Sequence, residues 1–546
     1  MRTVHRGGAP RIGRRHLVQL LGGGLGYAAL ARLLGPDQAR AAAPSGTLLV
    51  GMSLSMKSID PGRTIEASAY MVNHAIYDSL VTFQGEDLKT PKPQLATGWK
   101  VSSDGKTYTF ALRRDVKFAS GNPMTSADVK WSLDRVINLK ANTKFLIDGI
   151  EEVQAPDPFT VVLRLSESKP SIIAILSSPS LCVLESKVVI ANGGDAGPDA
   201  KDKDKAEPYL SARSAGSGAY TLAGYIPNQE ITLVRNAGHW RGPARFGRIV
   251  IRHIPEPVTQ QLQVERGDLD LATGIGPDQA QALSRTSGVT VKASQIANTH
   301  YVLMNNNPQI GGAFANPKVQ QAVRYALDYA GIMAIAGQGA QRLASIIPNL
   351  FPGSLDPKTA VTTDREKAKA LLREAGVGEV RGRITYGAGD ISWGVPIDLL
   401  VQKIQTDLNA VGMKIDLNGL SHVTALQEYR DGKNQIGVWG WTADWPDPSN
   451  FLVFLPGRTV GKRAGWPADA NPEAAALAKL GAQAETEVDG RRRVRLYEQV
   501  AGRIAAIGPY APLFQPAVPY AFRSNVRGAT YNSVWEVDLY PMSKSG

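Results

Sequence analysis

The amino-acid sequence predicts an α/β protein built from two or more lobes. Its 546 residues exceed the ~250–300 residues at which a single hydrophobic core stops growing. Its 55 glycines and 34 prolines favour many strands and turns over a helical bundle. From Ala297 onward helical and strand patterns alternate, the texture of an α/β lobe. A content of 43% hydrophobic and 20% charged residues suits a globular chain and not a disordered one.

The elements follow in order. Thr47 to Met52 is a short apolar run and predicts a buried strand. Ser58 to Gly62, with Asp60-Pro61-Gly62, is a turn. Ala67 to Phe83 opens as a helix, with Met71, Ile76, Leu80 and Val81 apolar. Trp99 to Leu112 predicts a hairpin, because Asp104-Gly105 supplies the positive φ that a tight turn needs. Thr125 and Asp128 form a capping-box pattern ahead of a helix that places Val129, Leu133 and Val136 on one face. Pro156-Asp157-Pro158 turns into a strand from Phe159 to Leu165. Gly193 to Ser214 contains Lys201-Asp202-Lys203-Asp204-Lys205, and such a mixed-charge run predicts a solvated loop.

In the second half, Asn316-Pro317 opens a helix with Val319, Val323, Ala326, Leu327 and Ala330 on one face. Thr363 and Glu366 read as a second capping box, and that helix stops at Gly376. Pro396 opens a longer helix that Gly412 ends, with a strand from Met413 to Leu417 behind it. No internal repeat is visible.

The amino terminus reads as an address. Arg14-Arg15, followed by Leu17 and Val18, resembles a twin-arginine export motif, although Gly13, Leu17 and Gln19 stand where Ser or Thr, Phe and Lys are favoured. Leu17 to Leu34 is weakly apolar, rich in glycine and interrupted by Arg32, a poor membrane span. Ala39-Arg40-Ala41 supplies the small-x-small pattern of a signal-peptidase site, with cleavage expected after Ala41. No cysteine lies nearby to carry an amino-terminal lipid anchor. No later stretch offers 18 uninterrupted apolar residues, so a soluble mature protein is expected.

The formal charge is +12, of which the first 41 residues contribute a net +6 from seven arginines against Asp37. The remaining cations are dispersed without interleaved aromatics, which excludes nucleic acid as the expected partner. Cys182, the single cysteine, lies in an apolar stretch and reads as a small buried hydrophobe. It cannot form an intramolecular disulfide or a multi-thiolate metal site. The histidines form no H-E-x-x-H pattern, and no Gly-x-Ser-x-Gly elbow occurs. Gly457 to Lys462 is one residue short of a phosphate loop, and Arg463 stands where Ser or Thr would hold magnesium, so it reads as a basic loop. No catalytic residue, cofactor or metal site is expected.

Several segments in the right order resemble the peptide and nickel class of ABC solute-binding proteins, solute-binding protein family 5. They include Ile59-Asp60-Pro61, Asn73 to Val81, Pro93 to Trp99, Leu112 to Phe118 and Pro123 to Val136. Gly216 to Tyr220, Val234 to Trp240, Gly267-Asp268-Leu269-Asp270, the helix from Pro317 and Asp364 to Gly376 continue the match. The resemblance implies a two-lobed periplasmic clamp of mixed sheets flanked by helices, with the ligand in the cleft. It places residues 42–83, 215–296 and 512–546 in the first lobe, 84–214 in its extra subdomain and 297–511 in the second lobe, after an export signal over 1–41. It implies a periplasmic protein that closes on a peptide or peptide-like ligand and delivers it to the transmembrane permease of an ABC importer and its cytoplasmic ATPases. The export motif adds the twin-arginine machinery as a partner.

The candidate site is Trp439-Gly440-Trp441-Thr442-Ala443-Asp444-Trp445. In peptide-binding members of the family an aspartate matching Asp444 pairs with the ligand's terminal ammonium, and Trp439, Trp441 and Trp445 are candidate walls. A buried ammonium needs such a carboxylate, because an unpaired buried charge costs several kcal/mol or more. The same tryptophans could serve as core, and Asp447-Pro448 reads as a turn. Other ligands stay open: a nickel or other metal chelate, an opine or an oligosaccharide. An exported hydrolase and a chaperone-like module are the competing classes.

Overall fold

A computed structural model describes residues 46–545. The twin-arginine pair Arg14-Arg15 and the cleavage position Ala41 lie outside the described residues.

The apolar run Thr47–Met52 is a strand, buried along nearly its whole length. It lies inside a seven-stranded sheet, next to Leu271–Ala272 on one side and Arg248–His253 on the other. It runs parallel to Leu271–Ala272, with Val50 opposite Leu271. Glu230–Arg235 and Tyr220–Ile226 extend the sheet at one edge, and Ala517–Arg523 and Val289–Gln295 at the other. Helix Ala67–Ile76 packs Met71, Val72 and Ile76 into the core of this sheet.

A four-stranded antiparallel sheet follows, ordered Ala96–Val101, Thr107–Leu112, Thr160–Leu165 and Ile150–Asp157. The expected hairpin forms its first pair, with Gly105 at φ +68° in the turn. Helix Ser126–Leu139 covers the sheet and buries Val129, Leu133 and Val136. At its start the Asp128 carboxylate accepts from the Thr125 backbone N–H at 2.9 Å, as the capping pattern predicts.

A second large sheet has six strands, ordered Gln341–Arg342, Tyr510–Gln515, Asn298–Met304, Ile436–Thr442, Arg381–Gly387 and Lys414–Leu420. Helices Pro317–Ala326 and Ile397–Asn409 supply its apolar cover through Val319, Val323, Leu400, Ile404 and Leu408. The chain passes between the two large sheets at only two places, after Gln295 and at Pro516. The second passage falls at Pro516 because Tyr510–Gln515 pairs along its length with strands of the six-stranded sheet.

Other local expectations are corrected. The helix Arg365–Ala375 is capped by Asp364, whose side chain accepts from the Lys367 N–H at 2.9 Å. Thr363 is turned away, and its hydroxyl donates to the Leu327 carbonyl instead. Ala330 belongs to a separate helix, Tyr329–Ala336, because the first ends at Ala326. Gly457 to Lys462 runs into a short helix, Thr459–Arg463. Within the charge run expected to be solvated, Asp204 is buried.

Asp204 is drawn inward by a cation. Arg135, on helix Ser126–Leu139, is 1% exposed and lies between Asp60 and Asp204. It donates to the Asp60 carboxylate at 2.6 and 2.8 Å and to that of Asp204 at 2.9 Å. One guanidinium thus ties the turn before the first helix, the small sheet's helix and the 195–205 segment together. Burial opposes ionisation of Asp204, but hydrogen bonding and charge from Arg135 outweigh it and hold the carboxyl below the ordinary range. A carboxylate held low adds stability above the ordinary aspartate pKa, and that stability is lost as pH falls through the lower folded value. Arg135→Met is expected to cost about 3–5 kcal/mol at pH 7, because it strands buried carboxylates. Urea unfolding at several pH values checks this, and the deficit should shrink as the medium is acidified below pH ~4.

Candidate functional site

The site grows from strand Ile436–Thr442, which pairs antiparallel with Asn298–Met304 so that Trp441 faces Thr299 and Trp439 faces Tyr301. Alternation along the strand sends Trp439 and Trp441 to the same side, where both pack on one aromatic cluster. Trp439 stacks on Tyr429 at 4.5 Å, and its indole N–H donates to Asn434 Oδ1 at 3.0 Å. Trp441 meets Phe454 edge-on at 6.1 Å and donates to Asn450 Oδ1 at 2.8 Å. Trp445 lies beyond the strand. It donates to Ser449 Oγ at 3.0 Å and leans on Phe145, reaching the core of the four-stranded sheet. All three indole N–H groups are therefore used within the segment or beside it, and only ring faces and edges remain for a ligand.

The two aspartates of the segment have opposite surroundings. Asp447 is buried, caps the 3-10 helix Pro448–Phe454 through the Ser449 N–H, and pairs with Arg493 at 2.7 and 2.9 Å. Burial opposes its ionisation, yet the Arg493 charge prevails and holds its carboxyl low. Asp444 keeps an exposed surface. Its one side-chain hydrogen bond comes from Asn450 Nδ2 at 3.3 Å. Desolvation by the surrounding walls pushes its carboxyl up, opposed only by that bond. Among the described residues no cation pairs with Asp444.

Asn450 is a residue that the sequence reading missed. It is fully buried. Because an indole N–H can only donate, Trp441 fixes the Asn450 oxygen on its own side and leaves the amide N–H for Asp444. Trp441, Asn450 and Asp444 thus form one directed chain that sets the carboxylate's orientation. The local signal was slight, a single Asn six residues on, and only the 3-10 turn brings it back.

The far side comes from elsewhere in the chain. Tyr70, on helix Ala67–Ile76, packs on the same cluster as Trp441 and Ala443. Its hydroxyl lies 2.9 Å from Ser180 Oγ and 3.3 Å from Ser178 Oγ. Trp393, at φ +52°, packs against the core of the seven-stranded sheet and donates to Thr442 Oγ1 at 3.3 Å. Tyr70 and Trp393 therefore flank the strand end that leads into Asp444.

A cavity of about 880 Å³ lies apart from this site, lined by Asn306, Gln320, Arg324, Lys462 and Asn471 among others. Its buried polar groups are already used. Arg324 donates to the carbonyls of Ala506, Gly508 and Tyr510, and Gln320 to Asn306 Oδ1 and the Phe314 carbonyl. The unpaired carboxylate makes the Asp444 region the stronger candidate. No group of three or more His, Cys, Asp or Glu side chains suited to a metal ion occurs among the described residues. Among them, no helix is long and apolar enough to cross a membrane.

Residues 90–462 match the family profile described as bacterial extracellular solute-binding proteins, family 5 middle. The chain is 26% identical over 514 residues to a probable D,D-dipeptide-binding periplasmic protein of Escherichia coli (strain K12), covering 93% of this chain and 96% of that one. The structure of HbpA2 from Haemophilus parasuis superposes with a TM-score of 0.80 at 22% identity, over 91% of this chain and 100% of that one. The periplasmic binding protein DppA from Helicobacter pylori, in complex with peptide STSA, gives 0.68 at 23% identity, over 93% and 99%.

Proposed function

The chain belongs to the bacterial extracellular solute-binding proteins of family 5, and from that membership we propose that it captures a peptide or peptide-like ligand by its free ammonium group. The observation that carries this reading is Asp444, an oriented carboxylate on a cleft wall without a cation of its own. A ligand ammonium supplies the missing charge, and closure around it removes water and strengthens the pair. The relative in Escherichia coli whose name gives a D,D-dipeptide as ligand supports the peptide class.

In this reading the two large sheets are the lobes of a clamp. Residues 42–83 and 215–296 with the carboxy-terminal segment form the first lobe, 84–214 its subdomain, and the chain from 297 to the Pro516 passage the second. Closure presents a joined surface to the membrane subunits of an ABC importer. The protein reaches the periplasm by the twin-arginine route through Arg14-Arg15 and is cleaved after Ala41. The reading includes no catalysis.

Three outcomes are expected. Asp444→Asn, which keeps shape and removes charge, should lose roughly 2–5 kcal/mol of binding for the tightest member of a di- and tripeptide panel. Amino-terminal acetylation of that peptide should cost a similar amount, and the two changes together less than their sum. Calorimetry on the four combinations decides, and full affinity for the acetylated peptide would move the ligand to another class. Small-angle scattering should give a smaller radius of gyration with saturating peptide, and no compaction would remove the clamp. Replacing Arg14 and Arg15 by Lys should leave precursor in the cytoplasm, and unchanged export would reject that route.

A further inference from the structure

The tip of a hairpin turn is ordinarily solvated. In the Asp104-Gly105 turn it is not. Asp104 and Lys106 are exposed, whereas Gly105 between them is buried. Two side chains cover it. A Cβ at Gly105 would stand 2.6 Å from Val488 Cγ1 and 2.9 Å from Ser168 Cβ, closer than real Cβ atoms come. Ser168 follows the strand Thr160–Leu165 of the same four-stranded sheet. Val488 comes from elsewhere, the connection between helices Pro472–Thr486 and Gly490–Ile507. The buried faces of those helices share one core with Tyr301, Leu303 and Tyr510 of the six-stranded sheet.

Ser168 bridges the same gap. Its Oγ donates to the Thr486 carbonyl at 2.8 Å, across 318 positions of sequence. A second contact repeats the pairing. Phe145, on the 3-10 helix Lys144–Ile147, meets Trp445 with ring centroids 6.5 Å apart, and Trp445 packs on the core of the four-stranded sheet. The four-stranded unit thus touches the side of the second large sheet at two places. Neither belongs to the strand passages after Gln295 and at Pro516. The contacts around Gly105 are weak. A single hydrogen bond contributes ~1 kcal/mol net, and Val488 stays 43% exposed. They can part without stranding a buried charge, unlike the Arg135 pairs, so they form when the two units are brought together and release when they separate.

We propose that Gly105, Ser168 and Val488 form the latch of the clamp: the four-stranded unit holds the second lobe closed over a bound peptide, and position 105 is glycine because a side chain there would prop the latch open. This rests on the clamp reading and adds to it, since hinging needs only the two strand passages and names no contact that retains the closed form.

The test uses the mature protein and, as probe, the tightest-binding peptide of the di- and tripeptide panel. Gly105→Asn keeps a positive φ that asparagine tolerates and adds a side chain at the contact. Gly121→Asn is the control, because Gly121 has φ +93° and nothing within 4 Å of an added Cβ. Gly105→Asn should speed peptide dissociation about tenfold with little change in association and weaken the compaction seen by small-angle scattering. Gly121→Asn should match wild type. The pair Ser168→Cys and Val488→Cys, in a chain whose one native cysteine is buried, should cross-link on oxidation, faster with saturating peptide than without, and should then hold the peptide until reduced. Equal dissociation from the two asparagine variants, or cross-linking that is absent or indifferent to peptide, would overturn the latch while wild type still compacts. A wild type that keeps one radius of gyration with every peptide removes the clamp itself, and the latch with it.

Discussion

The structure depends on a narrow ribbon of two antiparallel strands that joins its two large sheets. Val289–Gln295 pairs with Ala517–Arg523 in one sheet, and Asn298–Met304 with Tyr510–Gln515 in the other. Between them the Ile296 N–H donates to the Pro516 carbonyl, and Gln515 Nε2 donates to the Ile296 carbonyl at 3.0 Å. Pro516 offers no N–H, so the ladder thins where the sheets part. A joint of so few hydrogen bonds can twist while the sheets on either side stay intact. The ribbon also reaches the site, since the Ala443 N–H donates to the Ala297 carbonyl at 2.7 Å. Asp444 thus hangs one residue from the joint.

Three buried carboxylates are each paired with a guanidinium: Asp60 and Asp204 share Arg135, and Asp447 has Arg493. These pairs fasten segments far apart in sequence, and breaking one strands a charge in a poor solvent. Among the described residues Asp444 has no such partner and is held by the neutral amide of Asn450. A carboxylate that is oriented but not neutralised costs stability in the free protein, and a cationic ligand recovers that cost. The same segment therefore contains an aspartate paired with Arg493 and one held only by an amide, three residues apart.

Much of the architecture was legible because it is local. The Thr125–Asp128 cap, the Asp104-Gly105 hairpin and the apolar face of Pro317–Ala326 all rest on residues within a few positions of each other. The failures have one cause. Lys201 to Lys205 looks solvated until Arg135, 69 residues from Asp204, is placed beside it. Thr363 looks like a cap until the Leu327 carbonyl competes for its hydroxyl. Local pattern gives a residue's options, and a distant partner chooses among them.

For the site the division is equally clear. The sequence by itself determined the elements, the family pattern, and that an aspartate amid tryptophans at 439–447 was worth attention. The family resemblance singled out Asp444 and left Asp447-Pro448 as a turn, but it could not give the charge partner of either. That was decided by Arg493, which folding brings from 46 positions away onto Asp447 and not onto Asp444. Nor could it show that Ser178 and Ser180 meet the Tyr70 hydroxyl, more than a hundred positions away. Compensation of charge and direction of a hydrogen bond belong to sets of neighbours, and only the tertiary structure assembles the set.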